Sequence, residues 1–372
     1  MNCILRAATI ATSLLAAIPL AASAENVRIP VLVPITGILA LEGTSQRNGA
    51  VMALDEKPGG VEAGYDVTDT AASPETAVNA LERALAQPNV VAIAASIFGP
   101  QMLAMMPIAA ERKVPLVTIS GTAKITEMGN EYVFRFFPTD AVVKVAQARY
   151  VVEELKKTRV ALVYQTTAYG QSGQAHLTDN FKRLGAQIVF EEGLAPTVKD
   201  MAPVLAKLKA ANPDVIVLQL HSGPTALFVK QAAVSSANLP IVAGSAMHQP
   251  STAALLEPAE LKGVCAESGS SPISGGSPAM DKFTNAYRAK FNAEPDAFAV
   301  AQYDGTRMVL DAVGKGARTA IQVRDALATG SYEGLAMTYK SDGTGNMAHD
   351  AVIICYDGSS RVPKIVKRYA AR

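Results

Sequence analysis

The sequence predicts an α/β fold of two Rossmann-like lobes, each a parallel sheet flanked by helices. Strand-like apolar runs alternate with helical patterns along almost the whole chain, as βα units require. This pattern restarts after residues 137–140, where we expect the second lobe to begin. The length of 372 residues exceeds one average domain and fits two.

Before residue 140, continuous apolar runs have the character of strands buried on both faces of a parallel sheet. These predicted strands cover residues 27–33, 90–95 and 116–119. The predicted helices cover residues 43–56, a segment that Ser73 and Pro74 open as N-cap and first residue, and residues 100–112.

After residue 140 the alternation continues, with a helix predicted through about Lys156. Further helices are predicted around residues 177–184, 200–208, 225–234, 278–291, 296–313 and 319–328. Strands are predicted at residues 160–164, 188–190, 215–218, 241–243, near 264, at 332–339 and at 351–356. A Ser/Gly-rich break at residues 268–277 tolerates large backbone rotations and is a candidate hinge.

Composition and the N-terminal segment limit the function. A formal net charge of +1 argues against a nucleic-acid partner, because a phosphate-binding surface needs a basic excess. Residues 1–24 have the features of a cleaved signal peptide: Arg6, an apolar run at 7–20, and Ala22-Ser23-Ala24 as cleavage site. The run is too short to span a membrane, so we expect an exported chain that begins at Glu25.

Two cysteines, Cys265 and Cys355, remain after the signal peptide. Both lie in strand-like apolar surroundings, and neither has the spacing of a redox or metal motif. The favoured interpretation is two buried thiols. A disulfide is the alternative, which requires Cα atoms within about 7 Å.

The sequence contains no motif of a serine hydrolase, a zinc protease or a P-loop nucleotide-binding protein. Its four histidines do not pair at the spacing of metal ligands, although His221 and His248 follow predicted strands and are candidates to face a cleft. We therefore predict neither an enzyme nor a cofactor. Small-residue turns end the stretches 90–99, 114–122 and 160–170, where helix N-termini present N–H groups suited to a small anionic or zwitterionic molecule.

Several motifs occur in a fixed order: residues 34–37 with 47–50, the D-x-x-x-x-P-x-x-A segment at 69–77, and residues 114–122, 168–170 and 200–214. In this order they resemble the leucine/isoleucine/valine-binding proteins, the periplasmic receptors of ABC importers for branched-chain amino acids. The resemblance spans nearly the whole exported chain. It implies a type I periplasmic binding protein, whose two lobes, joined by three crossovers, close about a hinge on a ligand.

The resemblance also implies an organisation and partners. The first lobe would comprise residues 25–139 and 270–340, and the second lobe residues 140–269 and 341–372. We expect a periplasmic monomer that uses no cofactor and delivers a small ligand to a membrane ABC permease. A ligand-binding sensor domain of the same fold is a weaker alternative.

The family holds a ligand carboxylate with N–H groups and hydroxyls at two strand ends of the first lobe. Those positions correspond here to Ser96, Phe98, Gly99, Ser120, Gly121 and Thr122. Thr122 matches the expected hydroxyl, whereas Phe98 and Gly99 stand where a serine is usual. Phe98 is either a pocket aromatic or core packing. Ser96 and Ser120 are either ligand contacts or local turn caps.

On the second lobe, Tyr169 matches a tyrosine that closes over the ligand, and His221 falls where the family often has another tyrosine. Phe298, by a rougher alignment, falls at a pocket aromatic. Amino acid-binding members place an acid after the strand near 241, but residues 244–248, which include the candidate contact Ser245, contain none. The ligand is therefore a branched-chain amino acid by family default, or an aromatic or other organic acid or amide without an amino group. Glu42 is an alternative ammonium partner, although a solvated loop acid is the favoured interpretation.

Overall fold

The computed structural model describes residues 27–235 and 239–370. Its strands form two separate main sheets, and the helices pack around them as two α/β lobes. The predicted signal peptide, residues 1–24, lies outside the described residues. In the described part of the chain, no helix combines the length and the apolar character needed to cross a membrane.

The first lobe contains a five-stranded parallel sheet of order β2-β1-β3-β4-β5. Its strands are β1 (Val31–Val33), β2 (Val67–Asp69), β3 (Ile93–Ala95), β4 (Leu116–Thr118) and β5 (Val133–Arg135). Every residue of β1, β3 and β4 is buried, which explains their continuous apolar sequences.

Seven helices surround this sheet: α1 (Ala40–Asp55), α2 (Pro74–Leu85), α3 (Gly99–Arg112), α4 (Lys124–Glu127), α10 (Pro278–Phe291), α11 (Ala297–Gly314) and α12 (Ala320–Thr329). Ser73 caps α2 as predicted, by accepting a hydrogen bond from the N–H of Thr76 at 3.3 Å. Helices α1 and α11 pack closely because residue 49 is glycine. A Cβ there would lie 2.1 Å from the carbonyl oxygen of Ala299.

The second lobe contains a seven-stranded sheet of order β14-β13-β10-β9-β8-β6-β7. Its parallel strands are β6 (Arg159–Gln165), β7 (Gln187–Leu194), β8 (Val215–Gln219), β9 (Ile241–Ala243) and β10 (Val264–Ser268). Two antiparallel strands, β13 (Ala351–Cys355) and β14 (Lys364–Tyr369), complete it. The accompanying helices are α5 (Asp140–Arg149), α6 (Ala168–Arg183), α7 (Ala202–Ala211), α8 (Ser222–Val234) and α9 (Pro250–Ala253).

The predicted fold class is confirmed, but several individual elements differ from the prediction. Strands β2, β5 and β14 were not predicted. The single strand predicted at 332–339 is wrong, because this segment is a hairpin of β11 (Ser331–Glu333) and β12 (Thr338–Lys340). The buried carboxylate of Asp304 accepts hydrogen bonds from the N–H groups of Leu335 and Ala336, which fixes the turn between the two strands.

The chain passes from the first sheet to α5 after β5, and from β10 to α10 across residues 269–277. It returns to the second sheet at β13, but Met347 and Ala348 still lie in the core of the first lobe. We therefore propose that the third crossover lies near residue 350 and not at 340/341. The other predicted lobe boundaries, and the hinge at 268–277, stay predictions.

The prediction of two buried thiols is wrong, because Cys265 and Cys355 form a disulfide. The two residues lie directly opposite each other in the antiparallel pair of β10 and β13, with Cα atoms 4.0 Å apart. Ninety positions separate them in sequence. Only the strand register brings them together, and the sequence did not reveal that register.

Candidate ligand-binding site

A small cavity lies between the two lobes. The first lobe contributes Leu39, Glu42, Ile97, Gly121 and Phe298, and the second contributes Tyr169, His221, Ser245 and Ala246. Most of these residues follow the carboxyl end of a parallel strand: β3, β4, β6, β8 or β9. The cavity therefore occupies the place where open α/β sheets bind ligands.

The turn after β4 carries two hydroxyls with unused hydrogen-bonding capacity. Ser120 and Thr122 flank the cavity-lining Gly121, and both side chains are buried. Neither hydroxyl has a hydrogen-bond partner among the described residues. Gly99 opens α3 beside Thr122, where a Cβ would lie 2.3 Å from the Thr122 Oγ1, so glycine leaves that hydroxyl room. The N-terminus of α3 has no side-chain cap and lies next to the same turn.

Arg135, at the end of β5, supports this turn from behind. Its fully buried guanidinium donates to the carbonyl oxygens of Ser120 at 2.9 Å, Thr122 at 2.7 Å and Ala123 at 3.2 Å. Burial lowers the pKa of Arg135 to about 10, which leaves it charged at neutral pH. Sequence reasoning missed this residue, although one arginine inside the apolar run 132–137 was a signal of a buried, fully bonded cation.

Ser96 and Phe98, two further predicted contacts, lie behind the cavity wall. The Ser96 hydroxyl bonds to Gln101 at 2.5 Å and accepts from the N–H of Phe98 at 3.0 Å, the geometry of the turn-capping alternative. The Phe98 ring is buried and meets the ring of His221 edge-on, with centroids 6.0 Å apart. Ser96 thus has its hydrogen bonds inside the protein, while Phe98 packs across the boundary between the lobes.

The second lobe covers the cavity with polar aromatic side chains. The Tyr169 hydroxyl lies 3.2 Å from the Ser245 Oγ, and the Tyr169 ring lies 5.0 Å from that of His221. Tyr169 stands in the first turn of α6, whose N-cap Thr167 accepts from the N–H of Gly170. Burial raises the pKa of Tyr169 well above its ordinary value, so its hydroxyl keeps its proton.

His221 is the N-cap residue of α8 and is neutral in this environment. Burial lowers the pKa of His221 to about 4. Its Nε2 lies 3.5 Å from the Thr167 hydroxyl, and its Nδ1 lies 3.9 Å from a carboxylate oxygen of Glu42. His221 therefore presents an uncharged imidazole to the cavity.

Phe298 lines the cavity from α11 and rests against a small aromatic cluster. Its ring centroid lies 4.9 Å from that of Phe137 and 4.6 Å from that of His248. His248 is 3% exposed, and burial lowers its pKa to about 4. This cluster gives one end of the cavity an apolar wall.

Glu42 is buried, so the interpretation of a solvated loop acid is wrong. Helix α1 begins at residue 40, earlier than predicted, and the second lobe covers its first turn. Glu42 is 3% exposed, and its Oε1 accepts from the N–H of Ser222 at 2.9 Å and lies 2.7 Å from the Ser222 hydroxyl. Its Oε2 has no hydrogen-bond partner among the described residues. Burial raises the pKa of Glu42.

The site contains no metal cluster. Among residues 27–235 and 239–370, no group of three or more His, Cys, Asp or Glu side chains is placed to hold a metal ion. Of the residues that line the cavity, none is a lysine or an arginine. The arrangement offers hydroxyls, N–H groups, one carboxylate and apolar walls, which suits noncovalent binding of a small polar molecule.

Comparisons with known proteins agree with this geometry. A family model described as periplasmic binding protein matches residues 26–359. The Leu/Ile/Val-binding protein homolog 8 of Brucella abortus is 25% identical over 315 residues, covering 79% of this chain and 78% of that one.

Two solved structures share the fold. The branched-chain amino acid transporter substrate-binding protein LivJ of Streptococcus pneumoniae has a TM-score of 0.84 at 25% identity, covering 92% of this chain and 100% of the other. An ABC transporter solute-binding protein of R. palustris is alike in fold, with a TM-score of 0.84 at 17% identity, covering 93% and 97%. The resemblance seen in the sequence is confirmed. The chain belongs to the periplasmic binding protein family, among the relatives of the leucine/isoleucine/valine-binding proteins.

Proposed function

We propose that this protein is the periplasmic solute-binding component of an ABC importer, which captures a small carboxylate between its lobes and delivers it to a membrane permease. The observation that carries the proposal is the pair of buried hydroxyls of Ser120 and Thr122, which have no partner among the described residues and stand on either side of a cavity-lining glycine. A buried hydroxyl without a partner costs about 1–3 kcal/mol, which a bound carboxylate would recover.

The acid group of the ligand would bind at the turn after β4. The hydroxyls of Ser120 and Thr122 supply two donors, and the uncapped N-terminus of α3 at Gly99 supplies N–H groups and a favourable dipole. Arg135 holds the turn through its carbonyl oxygens and contributes positive potential from behind. These donors suit a ligand carboxylate at this end of the cavity, beside the buried Asp140, whose pKa burial raises to about 7.

The second lobe would close over the bound ligand with Tyr169, His221 and Ser245. Direct bonds already join the lobes, such as the N–H of Ala123 to the Ser172 hydroxyl at 3.1 Å. Closure of this kind stabilises the bound form only if the ligand makes contacts that the open form lacks. Contacts from both lobes to one small molecule meet that condition.

The ligand is a branched-chain amino acid by family default, and LivJ of S. pneumoniae was solved with isoleucine. The second candidate is an aromatic or other organic acid, or an amide, without an amino group. The absence of an acid from residues 244–248 and the aromatic wall around Phe298 favour that candidate. The R. palustris protein, alike in fold, was solved with benzoate.

We further propose that residues 1–24 direct export and are removed, and that the mature protein acts as a monomer on small molecules. It would neither bind nucleic acid nor change the covalent structure of its ligand. The family match and the near-neutral composition of the chain support these features.

A thermal-shift screen of the chain from Glu25 tests the proposal, with amino acids, aromatic acids and amides as probes. A ligand at 100 times its Kd should add about 2.7 kcal/mol to the free energy of unfolding. Chromatography of the recovered ligand should show it unchanged. A panel in which no carboxylate stabilises the protein, or recovery of a converted product, would contradict the proposal.

A further inference from the structure

We propose that Glu42 is the residue that binds a protonated nitrogen of the ligand, so that the ligand is a zwitterion and not a simple acid. This inference rests on the proposed function. Residues 244–248 of the second lobe contain no acid that could bind such a nitrogen. Glu42, on helix α1 of the first lobe, would bind it instead.

The hydrogen bonds of Glu42 leave one oxygen for the cavity. The N–H of Ser222 donates to the Oε1 at 2.9 Å, and the Ser222 hydroxyl lies 2.7 Å from the same oxygen and 2.6 Å from the Gln249 Oε1, which fixes the carboxylate from across the boundary between the lobes. The Oε2 is buried and has no partner among the described residues. Because Glu42 also lines the cavity, a ligand donor is the group best placed to satisfy this oxygen.

The charged groups around the cavity also favour a ligand with a positively charged nitrogen. The Lys144 amine, which lies 5.8 Å from the centroid of the Tyr169 ring, is paired with Glu267 at 2.6 Å. His221 is neutral, and Asp296 is bonded to Ser45, Gln249 and the N–H of Ala299. No lining residue supplies a cation for Glu42. A buried carboxylate without a counter-charge is costly, and a ligand ammonium would provide that charge.

The buried carboxylate of Glu42 also disfavours organic acids that lack an amino group. A desamino acid would place its carboxylate in the same cavity as that of Glu42 without bringing a positive charge, and like charges repel more strongly in a low dielectric. A zwitterion instead places its acid at the Ser120–Thr122 turn and its nitrogen at Glu42. The two charges of the ligand then meet opposite partial or full charges at separate positions.

The test compares Glu42→Gln with wild type on matched probes that differ only in the amino group. Leucine is paired with 4-methylpentanoate, and phenylalanine with 3-phenylpropanoate, in calorimetric titrations of the chain from Glu25. Glu75→Gln is the matched control, because Glu75 also stands in the first helical turn of the same lobe but is exposed on α2. Circular dichroism and the melting temperature without ligand establish that each variant folds.

We expect wild type and Glu75→Gln to bind the amino acid of a pair at least 10-fold more tightly than its desamino partner. Glu42→Gln should lose about 10- to 100-fold in affinity for the amino acid, the scale of a hydrogen bond between charged groups. If Glu42→Gln fails to fold, Glu42→Asp is used, and its shorter reach should give a smaller loss with the same preference.

Equal or tighter binding of the desamino acids by wild type would overturn this inference and leave the proposed function standing. Unchanged amino acid affinity in Glu42→Gln would do the same. The proposed function would instead be contradicted if wild type bound neither member of either pair and no carboxylate in the wider screen.

Discussion

Thr122→Val gives the sharpest test of the carboxylate site, because it changes one buried hydroxyl to a methyl of nearly equal size. The Thr122 side chain is 2% exposed and its Oγ1 has no partner in the described part of the chain. The substitution therefore removes no protein hydrogen bond. We expect the unliganded melting temperature to be unchanged or slightly raised, on the order of 1 °C for each kcal/mol at this chain length.

Ligand binding should respond in the opposite direction. Loss of a hydrogen bond to the ligand carboxylate costs about 1–3 kcal/mol, which corresponds to a Kd about 5- to 150-fold weaker. Calorimetric titration with the tightest ligand from the screen measures this change. The combination of an unharmed free protein and weakened binding distinguishes a ligand contact from a structural role.

Thr284→Val is the matched control for this experiment. Thr284 is a threonine on α10 that is 4% exposed, and its Oγ1 also lacks a partner among the described residues, but no neighbour of Thr284 in sequence lines the cavity, whereas Thr122 adjoins the cavity-lining Gly121. The affinity of the Thr284→Val variant for the ligand should equal that of wild type. The reasoning is refuted if Thr122→Val binds the ligand as wild type does, or if both variants weaken binding equally.

Three further predictions concern closure and stability. Tyr169→Phe should weaken binding about 5-fold by removing the hydroxyl near Ser245, and Tyr169→Ala should weaken it more by removing the ring as well, as titration would show. Reduction of the Cys265–Cys355 disulfide should lower the free energy of unfolding by about 2–5 kcal/mol in urea titrations; an unchanged midpoint would show that the bond does not contribute. Lys144→Met should cost about 3–5 kcal/mol because it leaves Glu267 buried without its partner, whereas Lys144→Met with Glu267→Leu should cost much less; equal costs would contradict this.

Local signals predicted the helices well. Helix α10 has the predicted bounds, 278–291, because Ser277 caps the N–H of Met280, Pro278 fits the first position, and Asn292 ends the helix with a left-handed φ of 49°. Each of these causes acts within four residues. Sequence pattern alone is sufficient where the determinants are this close.

Contacts between residues that are far apart in the sequence could not be predicted in this way. Glu42 is buried against Ser222, which lies 180 positions further along the sequence. The register of two strands brings Cys265 next to Cys355 across 90 positions. Neither relation leaves a trace in residue spacing. The predicted contacts Gly121, Tyr169, His221, Ser245 and Phe298 all line one cavity, whereas Glu42, which the sequence offered only as an alternative ammonium partner and favoured as a solvated acid, lines it too.

The unsatisfied polar atoms around the cavity explain how binding and closure are coupled. In an open form, water can solvate the Ser120 and Thr122 hydroxyls and the Glu42 Oε2. In the closed arrangement all three atoms are buried, and none has a partner within residues 27–235 and 239–370. Closing on an empty cavity therefore costs about 1–3 kcal/mol for each hydroxyl and more for the carboxylate. A ligand that satisfies all three removes a penalty of the same order as the ~5.5 kcal/mol that shifts a two-state equilibrium from 1:99 to 99:1. Selectivity and closure then share one physical origin, since a molecule that leaves any of these atoms unpaired also leaves the lobes less firmly closed.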